Sequence, residues 1–300
     1  MTIRLGRISY VNMAPVFFRL EADVVETSGV PTELNERLLA GEIDLAPISS
    51  IAYARHAERL RILPRLCVSS EGAVDSIQLV SRAPLARVRS VAVTPESATS
   101  AVLVRILLPD AEQVQLGEEA DARLLIGDAA LQSAFEDPTP HHDVGRLWRE
   151  RTGLPMVYAV FACPDPPPEV GPGGQGVGWR EPGRQPGPRG QEGGVGSSLK
   201  TVGWWDSIHE VEEALLASHR DARAEPEALA REASARYGYP AGFLARYFEK
   251  LRYSFGPRER AGLLSFFELA RDVGELDVVP ELRFVPADTR SRLAVGTEGA

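Results

Sequence analysis

Short hydrophobic runs alternate with amphipathic stretches along the first 162 residues of the chain. Residues 4–10, 43–48 and 88–94 are apolar runs of strand length, whereas residues 31–39 and 97–108 show the three-to-four-residue apolar spacing of helices. Regular alternation of strands and helices is typical of α/β proteins. The pattern therefore predicts an α/β fold.

The alternation falls into two blocks, which predict two lobes. The first block covers residues 1–82, and the second restarts at Pro84 and covers residues 83–162. Helical periodicity resumes over residues 205–286, with an apolar spacing that fits packing against the first lobe. Two α/β lobes joined by crossing strands would enclose a cleft and close over a ligand by hinge motion.

Residues 164–203 break this pattern. Glycine and proline make up half of the segment, and such a composition does not bury a core. The chain has only two lysines against 31 arginines, which indicates a GC-rich gene, and reading such DNA out of frame favours glycine, proline and arginine. Two interpretations stay open, a natural flexible loop and a frame error or local insertion. Residues 287–300 are polar and predict a disordered tail.

Composition and charge restrict the classes of partner. The formal net charge of −9, without a basic stripe, argues against nucleic-acid binding. No apolar run approaches the roughly 18 residues that span a bilayer, and no signal peptide precedes the first predicted strand. Cys67 and Cys163 are expected to be free thiols, which fits a reducing compartment. We therefore expect a cytoplasmic protein that binds neither nucleic acid nor a membrane.

The sequence lacks motifs for metals, nucleotides and activated nucleophiles. His141-His142-Asp143 is its only histidine cluster, without H-E-x-x-H or C-x-x-C spacing. No G-x-G-x-x-G follows the first strand, and the chain has no Walker A sequence. No histidine falls among the polar residues at the strand ends, which argues against a serine or cysteine nucleophile. We expect neither a metal nor a cofactor.

Polar patches follow several of the predicted strands. They are rich in hydroxyl groups, and the candidate site residues are Ser9, Tyr10, Asn12, Ser49, Ser50, Ser76, Thr94, Ser97, Thr99, Ser100, Gly127 and Asp128. Ligands of open α/β sheets bind beyond the carboxyl ends of the strands, and helix N-termini attract anions. The patches therefore predict one shared site for a small carboxylate, with Ser49 and Thr99 facing each other across it. The alternative is a set of separate helix caps that face solvent.

The order of the motifs along the chain carries more information than any single patch. The motifs are Ile8-Ser9-Tyr10-Val11-Asn12 with Pro15, Gly41-Glu42-Ile43-Asp44-Leu45-Ala46-Pro47-Ile48-Ser49-Ser50 with Tyr53, residues 69–81, residues 94–100, Ile126-Gly127-Asp128 with Leu131, Asp143-Val144-Gly145 with Trp148, and Thr152-Gly153-Leu154-Pro155. Together they resemble the chorismate dehydratase family of the futalosine route to menaquinone. The resemblance covers residues 3–162 and continues more weakly over residues 211–284.

The resemblance implies a two-lobed periplasmic-binding-protein-like fold of type II, with a cleft between the lobes and without export. It also implies conversion of chorismate into 3-[(1-carboxyvinyl)oxy]benzoate with loss of water. Our hypothesis is that Asn12 and Ser76 are the catalytic residues that orient the substrate, while one of the substrate's own carboxylates takes the proton. The other candidate residues would bind the substrate.

Two other functions stay open. A non-catalytic binding protein for a small organic anion would share the fold, because fold alone does not decide function. The related futalosine-pathway enzyme of the same fold acts on a different substrate, and its N-terminal signature differs from Ser9-Tyr10-Val11-Asn12. Incubation with chorismate separates the three functions.

Overall fold

The hydrophobic runs form separate sheets in the computed structural model of the chain, which describes residues 1–165 and 194–287. The strands are β1 (Ile3–Ile8), β2 (Val24–Gly29), β3 (Ala46–Ser49), β4 (Leu60–Ser70), β5 (Ile77–Ser81), β6 (Ser90–Val93), β7 (Glu112–Gln115), β8 (Ala122–Ile126), β9 (His141–Asp143), β10 (Met156–Pro164) and β11 (Leu251–Ser254). The helices are α1 (Pro31–Leu39), α2 (Ser50–Arg55), α3 (Ala98–Leu107), α4 (Gly127–Glu136), α5 (Val144–Thr152), α6 (Gly194–Ala224), α7 (Pro226–Tyr237), α8 (Ala241–Phe248) and α9 (Pro257–Asp272). The predicted α/β class is confirmed.

The first lobe combines a parallel pair of strands with an antiparallel sheet. β1 pairs with β2, and the sheet has the order β11-β4-β10-β3. A backbone hydrogen bond of 2.8 Å from the Gly6 N–H to the Leu45 carbonyl joins the two parts. A Cβ at Gly6 would lie 2.7 Å from the Cβ of Ala46. Glycine is therefore required where β1 passes β3.

The second lobe is built on one five-stranded sheet, in the order β7-β6-β8-β5-β9. β6 runs parallel to both β7 and β8, whereas β5 is antiparallel to β8 and β9. Helix α3 follows β6, and α4 follows β8. Because the carboxyl ends of parallel strands lie at the same edge, the N-termini of α3 and α4 lie together at that edge.

The strand pairing corrects the predicted lobe boundaries. β5 belongs to the second sheet although it falls within the first predicted block, residues 1–82. Residues 156–162, which end the second block of residues 83–162, are expected to form a strand leading back to the first lobe, and β10 does pair there with β3 and β4. The chain therefore crosses between the lobes at residues 71–76 and again between α5 and β10. Apolar runs indicate that strands form, but they do not indicate which strands become neighbours.

The Asp143 carboxylate holds the first crossing in place. It caps α5 by accepting a hydrogen bond of 2.9 Å from the Arg146 N–H, and it also accepts from the backbone N–H groups of Val74, at 3.0 Å, and Asp75, at 2.7 Å. Burial raises the pKa of Asp143, and these backbone donors act in the opposite direction. One side chain of the second lobe thus fixes the segment that connects it to the first.

The late helices follow the predicted periodicity closely. Helix α6 is the exception, because it begins at Gly194 and so includes residues 194–203 of the predicted loop. Residues 197–202 contain neither glycine nor proline, which allows the helix to extend toward its N-terminus. Residues 166–193 of the loop and residues 288–300 of the predicted tail lie outside the described residues. Among the helices described, none combines the length and apolar content needed to cross a bilayer.

Trp148 anchors α5 next to the second crossing. Its side chain is fully buried, its indole N–H donates to the Pro155 carbonyl at 3.2 Å, and its ring meets Phe266 of α9 edge to face at 6.2 Å. We expect Trp148→Ala to lower the free energy of unfolding by about 3–5 kcal/mol, because it leaves a cavity in the core. Urea denaturation measures the loss.

The matched control for Trp148→Ala is Glu150→Ala, at an exposed position of the same helix. A surface change of this kind is expected to alter the free energy of unfolding by about 0.5 kcal/mol or less. Equal losses in the two variants would contradict the anchoring role of Trp148.

Candidate functional site

A cavity lies between the two lobes. The first lobe contributes residues from the ends of β1 and β3 and from β4, β10 and β11, and the second contributes residues from β5, β8 and the N-termini of α3 and α4. Its lining is Ile8, Tyr10, Asn12, Pro31, Ser49, Val68, Val74, Ser76, Ile77, Ser97, Ser100, Ile126, Gly127, Tyr158, Ala159 and Leu251. The cavity measures about 50 Å³, far below the roughly 300 Å³ at which ligand pockets begin. A ligand the size of a sugar or a ring acid therefore enters only when the lobes separate.

Asn12 presents the cavity's unpartnered polar group. It lies in a single turn of 3-10 helix directly after β1, and its backbone carbonyl accepts a hydrogen bond from the Tyr253 hydroxyl. Its side-chain oxygen is buried and has no hydrogen-bond partner among the residues described. An unsatisfied buried acceptor costs about 1–3 kcal/mol. A ligand that donates to Asn12 would recover that cost.

Ser49 is oriented by a residue that the sequence analysis did not identify. The buried Asn35 of α1 accepts a hydrogen bond from the Ser49 N–H at 3.0 Å, and its amide donates to the Ser49 hydroxyl oxygen at 3.3 Å. The Ser49 hydroxyl keeps its hydrogen and one lone pair, so it is still able to donate to a ligand and to accept from one. Asn35 looks like an ordinary helix residue in the sequence, so no signal distinguished it.

The second lobe brings two helix N-termini to the cavity. Ser97 caps α3 by accepting a hydrogen bond from the Ser100 N–H at 3.3 Å, and the two hydroxyl oxygens lie 2.9 Å apart. Gly127 begins α4, and its N–H donates to the Ser76 carbonyl at 2.8 Å. The positive ends of helix dipoles favour anions. None of the lining residues carries a formal charge, so the helix termini supply the electrostatic attraction.

Two tyrosines supply further hydroxyl groups. The Tyr158 hydroxyl lies 2.9 Å from the Ser70 hydroxyl, and burial raises the pKa of Tyr158 above its ordinary value. The Tyr10 hydroxyl donates to Glu96 at 2.8 Å, and burial together with that carboxylate raises the pKa of Tyr10. Both side chains are therefore neutral hydrogen-bonding groups near pH 7. Tyr158 lies in the middle of β10, away from any polar patch, and the sequence analysis missed it.

Hydrogen bonds across the cleft hold the lobes together beside the cavity. Asp128 of α4 accepts from the Val11 N–H at 3.0 Å, and Thr99 of α3 accepts from the Ile51 N–H at 3.2 Å. Burial raises the pKa of Asp128, while the bond from Val11 lowers it. These side chains connect the lobes in the closed arrangement.

The structure brings together seven of the twelve candidate residues. Those that line the cavity are Tyr10, Asn12, Ser49, Ser76, Ser97, Ser100 and Gly127. Those that do not are Ser9, Ser50, Thr94, Thr99 and Asp128. Ser49 lines the cavity and Thr99 does not, so the two do not face each other across it, although the Thr99 hydroxyl oxygen reaches the first lobe by accepting from the Ile51 N–H.

Three of the other candidate residues lie outside the cavity for local reasons. Ser9 is exposed, and its backbone N–H bonds to the Gly29 carbonyl. The Ser50 hydroxyl donates to the Val157 carbonyl at 2.7 Å, and the Thr94 hydroxyl oxygen accepts from the Glu96 N–H at 3.3 Å. Short polar side chains satisfy nearby backbone groups as readily as they bind ligands, so their presence at a strand end does not distinguish the two roles.

Comparison with known proteins identifies the family. The sequence profile of the menaquinone biosynthesis family matches residues 3–165 and 195–272. The chain belongs to this family. The two matched stretches are interrupted at the glycine- and proline-rich segment, which is where the sequence pattern also breaks.

Two curated proteins named chorismate dehydratase share part of the sequence. Chorismate dehydratase of Thermus thermophilus is 38% identical over 196 residues, which cover 55% of this chain and 72% of that protein. Chorismate dehydratase of Campylobacter jejuni is 32% identical over 167 residues, covering 53% of this chain and 66% of that protein. The family resemblance expected from the motifs is therefore confirmed.

Solved structures confirm the fold. Protein AF1704 from Archaeoglobus fulgidus matches with a TM-score of 0.60 at 16% identity, covering 92% of this chain and 98% of that one. The alkanesulfonate-binding protein SsuA from Xanthomonas axonopodis, bound to MOPS, matches with a TM-score of 0.60 at 13% identity, covering 95% of this chain and 96% of that one. A Candida albicans protein with the generic periplasmic binding protein fold matches with a TM-score of 0.60 at 11% identity, covering 96% and 98%. The chain therefore has the expected two-lobed periplasmic-binding-protein-like fold.

Proposed function

We propose that this protein is a hydro-lyase that dehydrates chorismate to 3-[(1-carboxyvinyl)oxy]benzoate in menaquinone biosynthesis. The observation that carries the proposal is the uncharged inter-lobe cavity, lined by the Asn12 amide and several serine hydroxyls at two helix N-termini. Family membership and the two relatives named chorismate dehydratase support it.

The cavity suits a small dianion with one hydroxyl group. Chorismate carries two carboxylates, which helix N-termini and serine hydroxyls hold without a metal ion. Its ring hydroxyl can donate to the unpartnered side-chain oxygen of Asn12. Local dipoles attract the anion against the overall formal charge of −9.

The reaction asks little of the protein beyond positioning. Chorismate loses the hydrogen at C3 and the hydroxyl at C4, these leave together as water, and the ring becomes aromatic. Aromatisation makes the elimination favourable, so orientation and proton transfer dominate the catalytic task. In this mechanism Asn12 and Ser76 orient the substrate, and a substrate carboxylate accepts the C3 proton.

Closure of the lobes completes the site in this mechanism. Substrate enters the open cleft, and the lobes then close on it as far as its ring allows, which brings Asp128 back toward Val11 and Thr99 back toward Ile51. Closure removes water from the cavity and strengthens each remaining hydrogen bond. The two buried, unpaired thiols of Cys67 and Cys163 fit a cytoplasmic location for the reaction.

The direct test is incubation of the full chain with chorismate. We expect an aromatic product lighter than chorismate by one water, detected by its ultraviolet absorbance and mass after chromatography. Chorismate binding without turnover would support the alternative of an organic-anion-binding protein. Absence of both binding and turnover would overturn the proposed substrate and leave the related futalosine-pathway substrate to be tried.

A further inference from the structure

A second cavity of about 460 Å³ lies in the first lobe, among α6, α7, α8 and β11. Its volume falls within the roughly 300–1,000 Å³ range of small-molecule pockets. The lining residues are Pro15, His219, Ala222, Arg223, Pro226, Leu229, Ala245, Phe248, Glu249, Leu251, Arg252, Tyr253 and Ser254. None of the candidate site residues belongs to it.

The cavity combines an apolar wall with an excess of positive charge. Leu229, Ala245 and Phe248 supply apolar surface, while Arg223 and Arg252 supply guanidinium groups. The charged residues of the lining are these two arginines and one acid, Glu249, together with His219, whose pKa is lowered to about 4 by burial and by Arg223. Near pH 7 the lining therefore carries a net positive charge.

Both guanidinium groups keep donors available for a ligand. Arg223 makes no hydrogen bond or ion pair with residues 1–165 and 203–287, whose side chains the structure describes. Arg252 donates from Nη1 to the carbonyls of Glu249, at 2.5 Å, and Leu251, at 3.0 Å, so its other guanidinium nitrogens keep their hydrogens. Guanidinium groups bind carboxylates through paired hydrogen bonds.

Tyr253 connects this cavity with the inter-lobe cavity. Its ring lines the second cavity and meets His219 edge to face at 5.0 Å. Its hydroxyl donates to the backbone carbonyl of Asn12, whose side chain lines the inter-lobe cavity. Leu251 lines both cavities. A ligand that displaces Tyr253 would therefore shift the turn that carries Asn12.

We propose that the second cavity is a binding site for a small carboxylate with an apolar or aromatic body, and that its occupancy alters the position of Asn12. The acid group would pair with Arg223 and Arg252, and the body would pack on Leu229 and Phe248. Binding itself is independent of the proposed function, whereas any effect on turnover rests on it.

Titration calorimetry with 3-phenylpropionate tests the binding. We expect the wild-type chain to bind this probe and the Arg223→Gln, Arg252→Gln double variant to bind it roughly tenfold to hundredfold more weakly, because the variant loses both guanidinium groups that pair with the carboxylate. The neutral alcohol 3-phenylpropanol should bind weakly to both. Equal binding of the acid to both proteins, or no binding to the wild type, would overturn the site.

Two control variants test whether 3-phenylpropionate binds in this cavity and not elsewhere on the chain. Arg220→Gln removes an exposed guanidinium from the same helix, outside the lining, and should leave the affinity for 3-phenylpropionate unchanged. Ser76→Ala alters the inter-lobe cavity, and it should also leave the affinity for 3-phenylpropionate unchanged. A loss of affinity in Ser76→Ala would show that the probe occupies the inter-lobe cavity, which would also overturn the proposal.

Hydrogen exchange tests the connection to Asn12 without requiring turnover. We expect 3-phenylpropionate to shift the exchange rates of the backbone amides at residues 11–14 in the wild type and to shift them less in Tyr253→Phe, which lacks the hydroxyl. Unchanged exchange at these amides in the liganded wild type would overturn the coupling. Neither measurement uses chorismate, so both would still test the second cavity if the protein did not dehydrate chorismate.

Discussion

Asn12→Ala is expected to lower kcat/KM for chorismate by about 10²–10³, the loss typical of removing one hydrogen-bonding group from a preorganised site. The side-chain amide faces the inter-lobe cavity, and its buried oxygen has no partner among the described residues. The hydrogen bond from Tyr253 ends on the backbone carbonyl of Asn12, so alanine keeps it. The variant therefore removes the amide while leaving the turn after β1 supported.

Ser9→Ala is the matched control for this prediction. Ser9 belongs to the same polar patch but is exposed and lies outside the cavity, so its removal should leave kcat/KM unchanged. Asn12→Asp should be at least as impaired as Asn12→Ala, because a carboxylate replaces the amide donors and repels the dianionic substrate. Normal dehydration by Asn12→Ala, with melting temperatures matched to wild type, would remove Asn12 from the mechanism.

The periodicity of the chain predicted most of the secondary structure but not the arrangement of the strands. Helix α3 agrees with its predicted range, residues 97–108, to within one residue at each end. The assignment of β5 to the first lobe failed, because pairing depends on contacts between distant parts of the chain. The Asp143 bonds to Val74 and Asp75 are of this kind.

The sequence predicted only part of the site, because the residue types that cap helices are the same ones that bind ligands. Ser97 caps α3 and also lines the cavity, so the two interpretations of the polar patches are both correct for that residue. Thr99, two positions later, points to the other lobe and accepts from Ile51. Side-chain direction around one helical turn decides between the two outcomes, and residue type does not encode it.

The residues that the sequence analysis missed lie within a helix or a strand and not at a strand end. Asn35 lies within α1 and Tyr158 within β10, where polar residues usually satisfy local structure or face solvent. Their proximity to the cavity depends on the packing of α1 and β10 in the first lobe, which no local pattern specifies. Residues at strand ends form much of the site, but they do not form all of it.

Gly127→Ala is expected to prevent closure of the lobes and to lower kcat/KM for chorismate by about 10² or more, the cost of misplacing reacting groups by about 1 Å. Gly127 has a φ of 56°, and a Cβ there would lie 2.7 Å from the Cγ and Cδ2 atoms of the Tyr10 ring. Tyr10 belongs to the first lobe and Gly127 to the second. The added methyl group therefore pushes the lobes apart at the cavity itself.

Gly153→Ala separates this clash from backbone strain. Gly153 also has a positive φ, of 71°, but nothing lies within 4 Å of its Cβ position. Both alanine variants carry the cost of the left-handed conformation, about 1–2 kcal/mol, and only Gly127→Ala carries the contact with Tyr10. We expect KM to rise and the radius of gyration in chorismate, measured by X-ray scattering, to stay larger in Gly127→Ala alone. If the two variants match in both measurements, the contact between Gly127 and Tyr10 has no part in closure, and the loss in Gly127→Ala reflects the strain of α4 by itself.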